Sequence, residues 1–527
     1  MKHCRKCVLL LRGPIDFAVL SRLLCCLLLC GLFSGGVLAS SSPSLDEALQ
    51  AIIQQHELRG DPGQDRSLPD INAPLAQLGK KLFFSKALSG REDTACASCH
   101  HPFLGGGDGL SLPIGVGASN PDQLGPGRRH SIKAERYDGS PPVPRNAPTT
   151  FNIALWDHVM FHDGRVERLR ERAAPNGDKG AIRTPDSFYG TADPLAGDDL
   201  VAAQARFPVT SEVEMRSFLF ERGHTNDEVR AQLVQRLIQS GEEATASPWL
   251  AAFREGYQRP QGTAVELITF DHISTALSAY QRSQHFVNSP WRAYLQGELQ
   301  AISTLAKKGA LLFYNSIQEG GANCVACHTG DFFTDEQFHT LAIPQIGRGK
   351  RIGSGGNADF GRFAVSKRPE DRYAFRTPTL LNVEVTGPYG HDGAYRSLEG
   401  VVRHHLNPEK AVEDYDIHQL ESSIDISNWQ LHTNKALKKL RYQQRHDDGV
   451  VLRDVMLSEQ DINELLTFLN TLTDPCVKSP TCLAPWVPVE GEDDPALLLL
   501  KSFKFETRPL LDAYSPGKSL EEERSVD

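Results

Sequence analysis

Methionine is scarce in this chain, with four residues in 527, and tryptophan hardly more frequent, with five. A thioether ligand to a metal therefore has few candidates, and in the C-terminal half Met456 is the one to consider. Basic residues are outnumbered: Lys and Arg total 56 against 66 Asp and Glu, for a formal charge of -10. That balance excludes the basic surface that nucleic acid requires, and it asks for a basic patch on any protein partner. Also lacking is an apolar run of the roughly 20 residues that a membrane-spanning helix needs. The nearest approach, Leu23 to Phe33, follows Lys2, Arg5, Lys6, Arg12 and Arg22 and leads into Val37-Leu38-Ala39. This is the order of a secretory signal peptide, residues 1–39, with cleavage expected after Ala39; an uncleaved anchor is the alternative.

Of the 11 cysteines, Cys4, Cys7, Cys25, Cys26 and Cys30 fall within that leader. Four of the rest form two runs, Cys96-Ala97-Ser98-Cys99-His100 and Cys324-Val325-Ala326-Cys327-His328. C-x-x-C-H is the attachment signature of a c-type haem: two thiols add to the porphyrin vinyl groups and the following imidazole binds the iron. One such run is open to a chance or half-zinc-site reading. Two, both ending in His, predict two covalent haem c groups, held by Cys96, Cys99, Cys324 and Cys327 with His100 and His328 on the irons. Cys476 and Cys482 remain, and in an exported chain they read as one disulfide closing a short loop. Haem is attached on the exported side, so both features predict a periplasmic protein.

The surroundings of the two runs repeat. Ahead of the first, Pro74 opens a helical pattern of Leu75, Leu78, Leu82 and Phe83; ahead of the second come Leu305, Leu311, Leu312, Phe313 and Tyr314. At nearly equal offsets downstream stand Pro148-Thr149-Thr150-Phe151-Asn152 with His162-Asp163-Gly164, and Pro378-Thr379-Leu380-Leu381-Asn382 with His391-Asp392-Gly393. A capped helix then closes each copy, from Thr263-x-x-Glu266 through Tyr280 and from Ser458 through Leu469. The pattern predicts an internal duplication of a mainly helical unit. Residues 105–148, rich in Gly and Pro, and the polar insertion 176–206 are expected as surface loops.

The two haem runs, Arg145-Asn146-Ala147-Pro148-Thr149, the Asp163-Gly164-Arg165 turn, Val213-Glu214-Met215, Thr386-Gly387-Pro388-Tyr389 and His391-Asp392-Gly393 together resemble the bacterial dihaem cytochrome c peroxidase family. That family includes the dihaem tryptophan-oxidising enzyme of methylamine utilisation. The resemblance implies a mainly all-α fold of two cytochrome c-like haem domains with long loops. These are a peroxidatic domain over 40–290 and an electron-transfer domain over 291–475, with 476–527 as a tail. It further implies a first haem open to peroxide and a second, six-coordinate haem that stores or relays an electron.

Site residues follow from the same resemblance. Classical members close the peroxide position at rest with a loop His; here that loop reads Pro113-Ile114-Gly115-Val116-Gly117, and His130, further on, is expected as a solvated loop residue. The first iron is thus expected five-coordinate or water-bound. Glu214 matches the group that moves a proton during peroxide cleavage. Arg172 stands where the family has Gln and offers a cation to developing negative charge. The distal ligand of the second haem matches His405, with His404 as the adjacent fallback; a bis-His iron sits at lower potential than a His/Met one. Asn146, Thr386 and Pro388 match the ligands of one Ca²⁺. His162 occupies the place of an inter-haem Trp, and Trp156 is the other relay candidate. The implied function is reduction of hydrogen peroxide with electrons from a small cytochrome c or cupredoxin. Two alternatives are a dihaem oxidase that modifies Trp or Tyr of a partner protein, and a plain dihaem electron-transfer cytochrome. Oligomeric state is left open, a homodimer included.

Overall fold

The computed structural model describes residues 44–170, 175–239, 247–352, 356–446, 449–489 and 498–500. The expected signal peptide and Arg172 lie outside them. The fold is helix-rich, with a few short strands. The helices that position the site are α1 (Pro74–Phe84), α2 (Leu200–Ala205), α3 (Phe270–Arg282), α4 (Thr304–Tyr314), α5 (Leu398–Leu406) and α6 (Glu459–Asn470). Among the described residues no helix is long and apolar enough to cross a membrane.

Pro74 starts α1 with a preset φ and no N–H to satisfy, and Leu78, Leu82, Phe83 and Phe84 are buried. They pack on Ile273, Leu277 and Tyr280 of α3, whose start is fixed by Thr269 accepting the His272 N–H. A second helix pair, α4 on α6, is capped by Ser303 and Ser458 and buries Phe313 against Leu465 and Phe468. Each pair crosses at a glycine: a Cβ at Gly79 would run into the Ala276 carbonyl oxygen, and one at Gly309 into that of Glu464. Gly79→Ala and Gly309→Ala should therefore each force the helices apart and cost about 1–3 kcal/mol of stability, read from denaturant titration of the holoprotein.

The first core takes in Ala95 and Ala97 of the first C-x-x-C-H run, and the second takes in Val325 and Phe333 around the other. A third core packs Trp156 against α2 and a small antiparallel sheet, β1 (Val159–Met160), β2 (Val166–Arg168) and β3 (Ile182–Arg183). In that sheet Glu167 lies opposite both Val159 and Arg183. The β1–β2 connection carries His162-Asp163-Gly164, with Gly164 at φ +66°. Cys476 and Cys482 form a disulfide with Cα atoms 5.3 Å apart.

Three expectations about these segments are corrected. The helix from Thr263 is interrupted: its capping box starts only Ala264–Leu267, Ile268 leaves helical geometry at ψ 82°, and Thr269 caps α3 afresh. Residues 108–116 are buried rather than a surface loop, because Arg128 reaches under them and donates to the carbonyls of Ile114 and Gly115. The insertion 176–206 is structured too. Leu200, Val201 and Ala203 enter the third core, and buried Arg206 pairs with Asp193 at 2.7 Å.

Candidate functional site

Each C-x-x-C-H run folds into one 3₁₀ turn, Cys96–Ser98 and Cys324–Ala326, and the following His N–H returns to the first Cys carbonyl at 3.0 and 2.9 Å. All four cysteines are free thiols. Burial pushes the Cys96 and Cys324 thiols up to about 12 and raises Cys99 as well. Among the described residues the only trio of convergent metal-ligating groups is Cys327, Asp335 and His339; the first run belongs to none. Two free thiols followed by a single imidazole fit the donor set of covalent haem.

Three imidazoles share one arrangement. His100 Nδ1 faces the Gly106 carbonyl at 3.2 Å, His328 Nδ1 that of Phe333 at 3.0 Å, and His405 Nδ1 that of Val401 at 2.8 Å. Each carbonyl fixes the proton on Nδ1 and leaves the Nε2 lone pair for a metal. Burial lowers all three pKa values, His328 to about 4, so the rings are in the neutral form that ligation needs. The His328 and His405 rings lie 6.5 Å apart between centroids, room for one metal bonded from both sides at roughly 2 Å. Adjacent residues on α5 point about 100° apart, and His404 takes the other direction. It is fully buried, with Nδ1 at 2.8 Å from the Tyr395 hydroxyl and Nε2 at 2.8 Å from the Leu341 carbonyl. Neither nitrogen is left for a metal. Met456 is 97% exposed.

The first run opens onto a cavity of about 140 Å³. Cys96, Cys99 and His100 line it together with Glu214, Arg165, His162 and Lys350. The Glu214 carboxylate is 4.0 Å from the Arg165 guanidinium and 27% exposed, and Arg165 lies over the Phe161 ring at 3.6 Å. Gly115 presses against the Val213 and Glu214 carbonyls where no Cβ would fit, so the loop without a His is what seats Glu214. His130 is half-buried rather than solvated: its Nδ1 contacts the Ser140 carbonyl at 3.1 Å, and its ring packs on Tyr137 away from the cavity lining.

In the cavity wall, buried Arg145 joins the two halves of the chain. Its guanidinium meets Asp359 at 2.6 and 2.9 Å and Asp163 at 2.7 Å. That guanidinium holds Asp359 down at about 2 and Asp163 lower still. His162 sits beside it, neutral at about 3 through burial and the nearby Arg145 and Arg376 cations, with Nε2 at 3.1 Å from the Asn146 carbonyl. Trp156 is buried between Arg376, 3.4 Å above its ring, and Phe332, edge-on at 5.0 Å. Phe332 precedes Phe333, whose carbonyl orients His328, so Trp156 and Phe332 bridge the cavity to the second haem run.

Asn146 donates its amide to the Leu110 and Ser111 carbonyls at 2.9 and 3.3 Å. No hydrogen bond among the described residues links it to Thr386 or Pro388. The fit to a hard cation is thus partial, and its strongest sign is the neighbouring Asp108 Oδ2 and Ser111 Oγ, both buried without a partner. Lys350, Arg376 and Phe332 were not among the residues singled out from sequence. The Gly347-Arg348-Gly349-Lys350 run was the available signal for the first; the other two carry none.

A model of the family described as di-haem cytochrome c peroxidase matches residues 73–300. The chain is 28% identical over 375 residues to methylamine utilization protein MauG of Methylorubrum extorquens, covering 71% of this chain and 79% of that protein. It is 29% identical over 349 residues to the cytochrome c551 peroxidase of Pseudomonas aeruginosa, covering 66% and 74%. Among solved structures, the diheme peroxidase BthA from Burkholderia thailandensis aligns at a TM-score of 0.47 and 19% identity over 79% of this chain and 89% of that one. Sequence kinship and the two C-x-x-C-H turns point the same way, and residues 73–300 of the chain are similar to the di-haem cytochrome c peroxidase family.

Proposed function

We propose that the protein is a periplasmic di-haem peroxidase that reduces hydrogen peroxide to water with electrons from a small cytochrome c or cupredoxin. The observation that carries this is Glu214 lining the same cavity as Cys96, Cys99 and His100, seated against the 113–117 loop, which offers no imidazole to close it. Haem, held by Cys96 and Cys99 with His100 on its iron and by Cys324 and Cys327 with His328 and His405, supplies the redox chemistry when bound. The chain supplies the rest. Glu214 takes a proton from peroxide and returns it to the departing oxygen. Arg165, fixed on the Phe161 ring, keeps a positive charge 4.0 Å from that carboxylate. The hydrophobic wall of Phe83, Ile153, Met160 and Leu277 limits water around the exchange.

Residues 40–290 and 291–475 are proposed as two copies of one haem domain. The matched helix pairs, each crossing at a glycine, support this. Trp156 is the preferred electron relay over His162, because its ring contacts Phe332 while His162 is turned onto a backbone carbonyl. Ca²⁺ at Asn146, Thr386 and Pro388 rests on the resemblance and on the orphaned Asp108 and Ser111 oxygens.

A second reading, a peroxide-driven oxidase of Trp or Tyr in a partner protein, is favoured by a second haem pair without Met and by the buried Trp156–Phe332 contact. Steady-state turnover with hydrogen peroxide and reduced cytochrome c separates the two. Fast turnover supports the peroxidase. Slow turnover with a long-lived two-electron-oxidised state supports the protein-modifying enzyme and rejects the first reading.

A further inference from the structure

Lys350 has no assigned task, yet its surroundings are specific. Its ammonium has no hydrogen bond or ion pair among the described residues. Buried Lys86 and Lys307 differ: Lys86 sits on Asp122 at 2.7 Å and Lys307 on Asp46 at 2.7 Å. The acids nearest Lys350 in charge, Asp163 and Asp359, are already held by Arg145. What Lys350 does face is the cavity that also holds Glu214, Arg165 and the first haem run.

The backbone is built to keep it there. Lys350 N–H donates to the Ala358 carbonyl at 3.2 Å. Arg348 is tied across to Asp138 and to the Ser140 carbonyl. Gly349, at φ +53°, lies so close to the Asn357 carbonyl that a Cβ would collide; only glycine allows the turn that delivers Lys350.

We propose that Lys350 is an anion-binding residue of the first haem cavity, acting with Arg165 on the hydroperoxide anion that remains once hydrogen peroxide has given a proton to Glu214. This rests on the reading of that cavity as the open peroxide site. The proton transfer turns a neutral ligand into an anion and neutralises Glu214, leaving a negative charge in a cavity whose exposed surface is mostly apolar. Such a charge needs a close cation. Lys350 is a cation at neutral pH even though desolvation, with Arg165 and Arg145 nearby, brings it from 10.5 to about 8.

The test uses fluoride and azide as probe anions, titrated optically into the resting ferric holoprotein and its Lys350→Met and Lys350→Arg variants. Charged hydrogen bonds of this kind are worth enough to change affinity by roughly tenfold or more. Lys350→Met should therefore weaken both anions by about that factor, and Lys350→Arg should retain wild-type affinity within about threefold, with haem content and the second haem's spectrum unchanged in both. Lys350→Met binding both anions as tightly as wild type would overturn the proposal, as would Lys350→Arg losing as much as Lys350→Met. Wild-type protein that binds neither anion would overturn the open-site reading itself, and this proposal with it.

Discussion

Glu214→Gln should slow peroxide cleavage by about 10²- to 10⁴-fold, the usual contribution of a positioned proton-transfer group. Gln keeps the length and planarity of the side chain but can neither take a proton from peroxide nor return one. Its neighbours argue against a structural cause for such a loss. Glu214 is 27% exposed, and its only ion-pair partner among the described residues is Arg165 at the limiting distance of 4.0 Å. A surface-type contact of that kind is worth at most about 1 kcal/mol. Stopped-flow mixing with hydrogen peroxide gives the rate, while the resting spectrum and iron content should match wild type. An unchanged cleavage rate would remove Glu214 from the acid-base role.

Arg145→Met should be the most destabilising single change near the site. Its guanidinium is the shared partner of Asp163 and Asp359, all three side chains being 4–6% exposed. Taking away the cation leaves buried Asp359 uncompensated and Asp163 with only the Arg165 contact at 3.4 Å, which costs about 3–5 kcal/mol. The dependence on pH distinguishes this from simple loss of packing. In the wild type Asp359 is depressed from 3.8 to about 2, so its stabilisation is complete above the unfolded value and is lost as pH falls from about 4 toward 2. In Arg145→Met the same carboxylates are destabilised by burial, their values rise, and acidification through the carboxylate range should relieve the strain. Thermal unfolding across pH should thus show opposite slopes in the two proteins. A variant that merely runs parallel below wild type would contradict the role given to this network.

What could be read from the residue order was local. The C-x-x-C-H turns, the Pro74 helix start and the Ser458 cap declare themselves within a few positions, and each stands where periodicity and capping put it. His405 needed more. Sequence offers two adjacent imidazoles, and only tertiary contacts separate them: Tyr395 and Leu341 engage His404, leaving His405 to face His328. The ties that shape the first cavity were beyond reach for a similar reason. Arg145 and Asp359 are 214 positions apart, and no local pattern marks them as partners. Residues 108–116 look like loop because Gly and Pro break any helical or strand period, yet a backbone without regular structure is buried here because Arg128 satisfies its carbonyls. Lys350 was missed because a lone lysine in a Gly-rich run ordinarily faces water.

The most direct measurement is iron content per polypeptide together with the electron paramagnetic resonance and near-infrared spectra of the purified protein. Two haem irons, one high-spin and open, one low-spin without the His/Met near-infrared band, are the predicted result. A single iron per chain, or two low-spin irons that bind no added ligand, would contradict it.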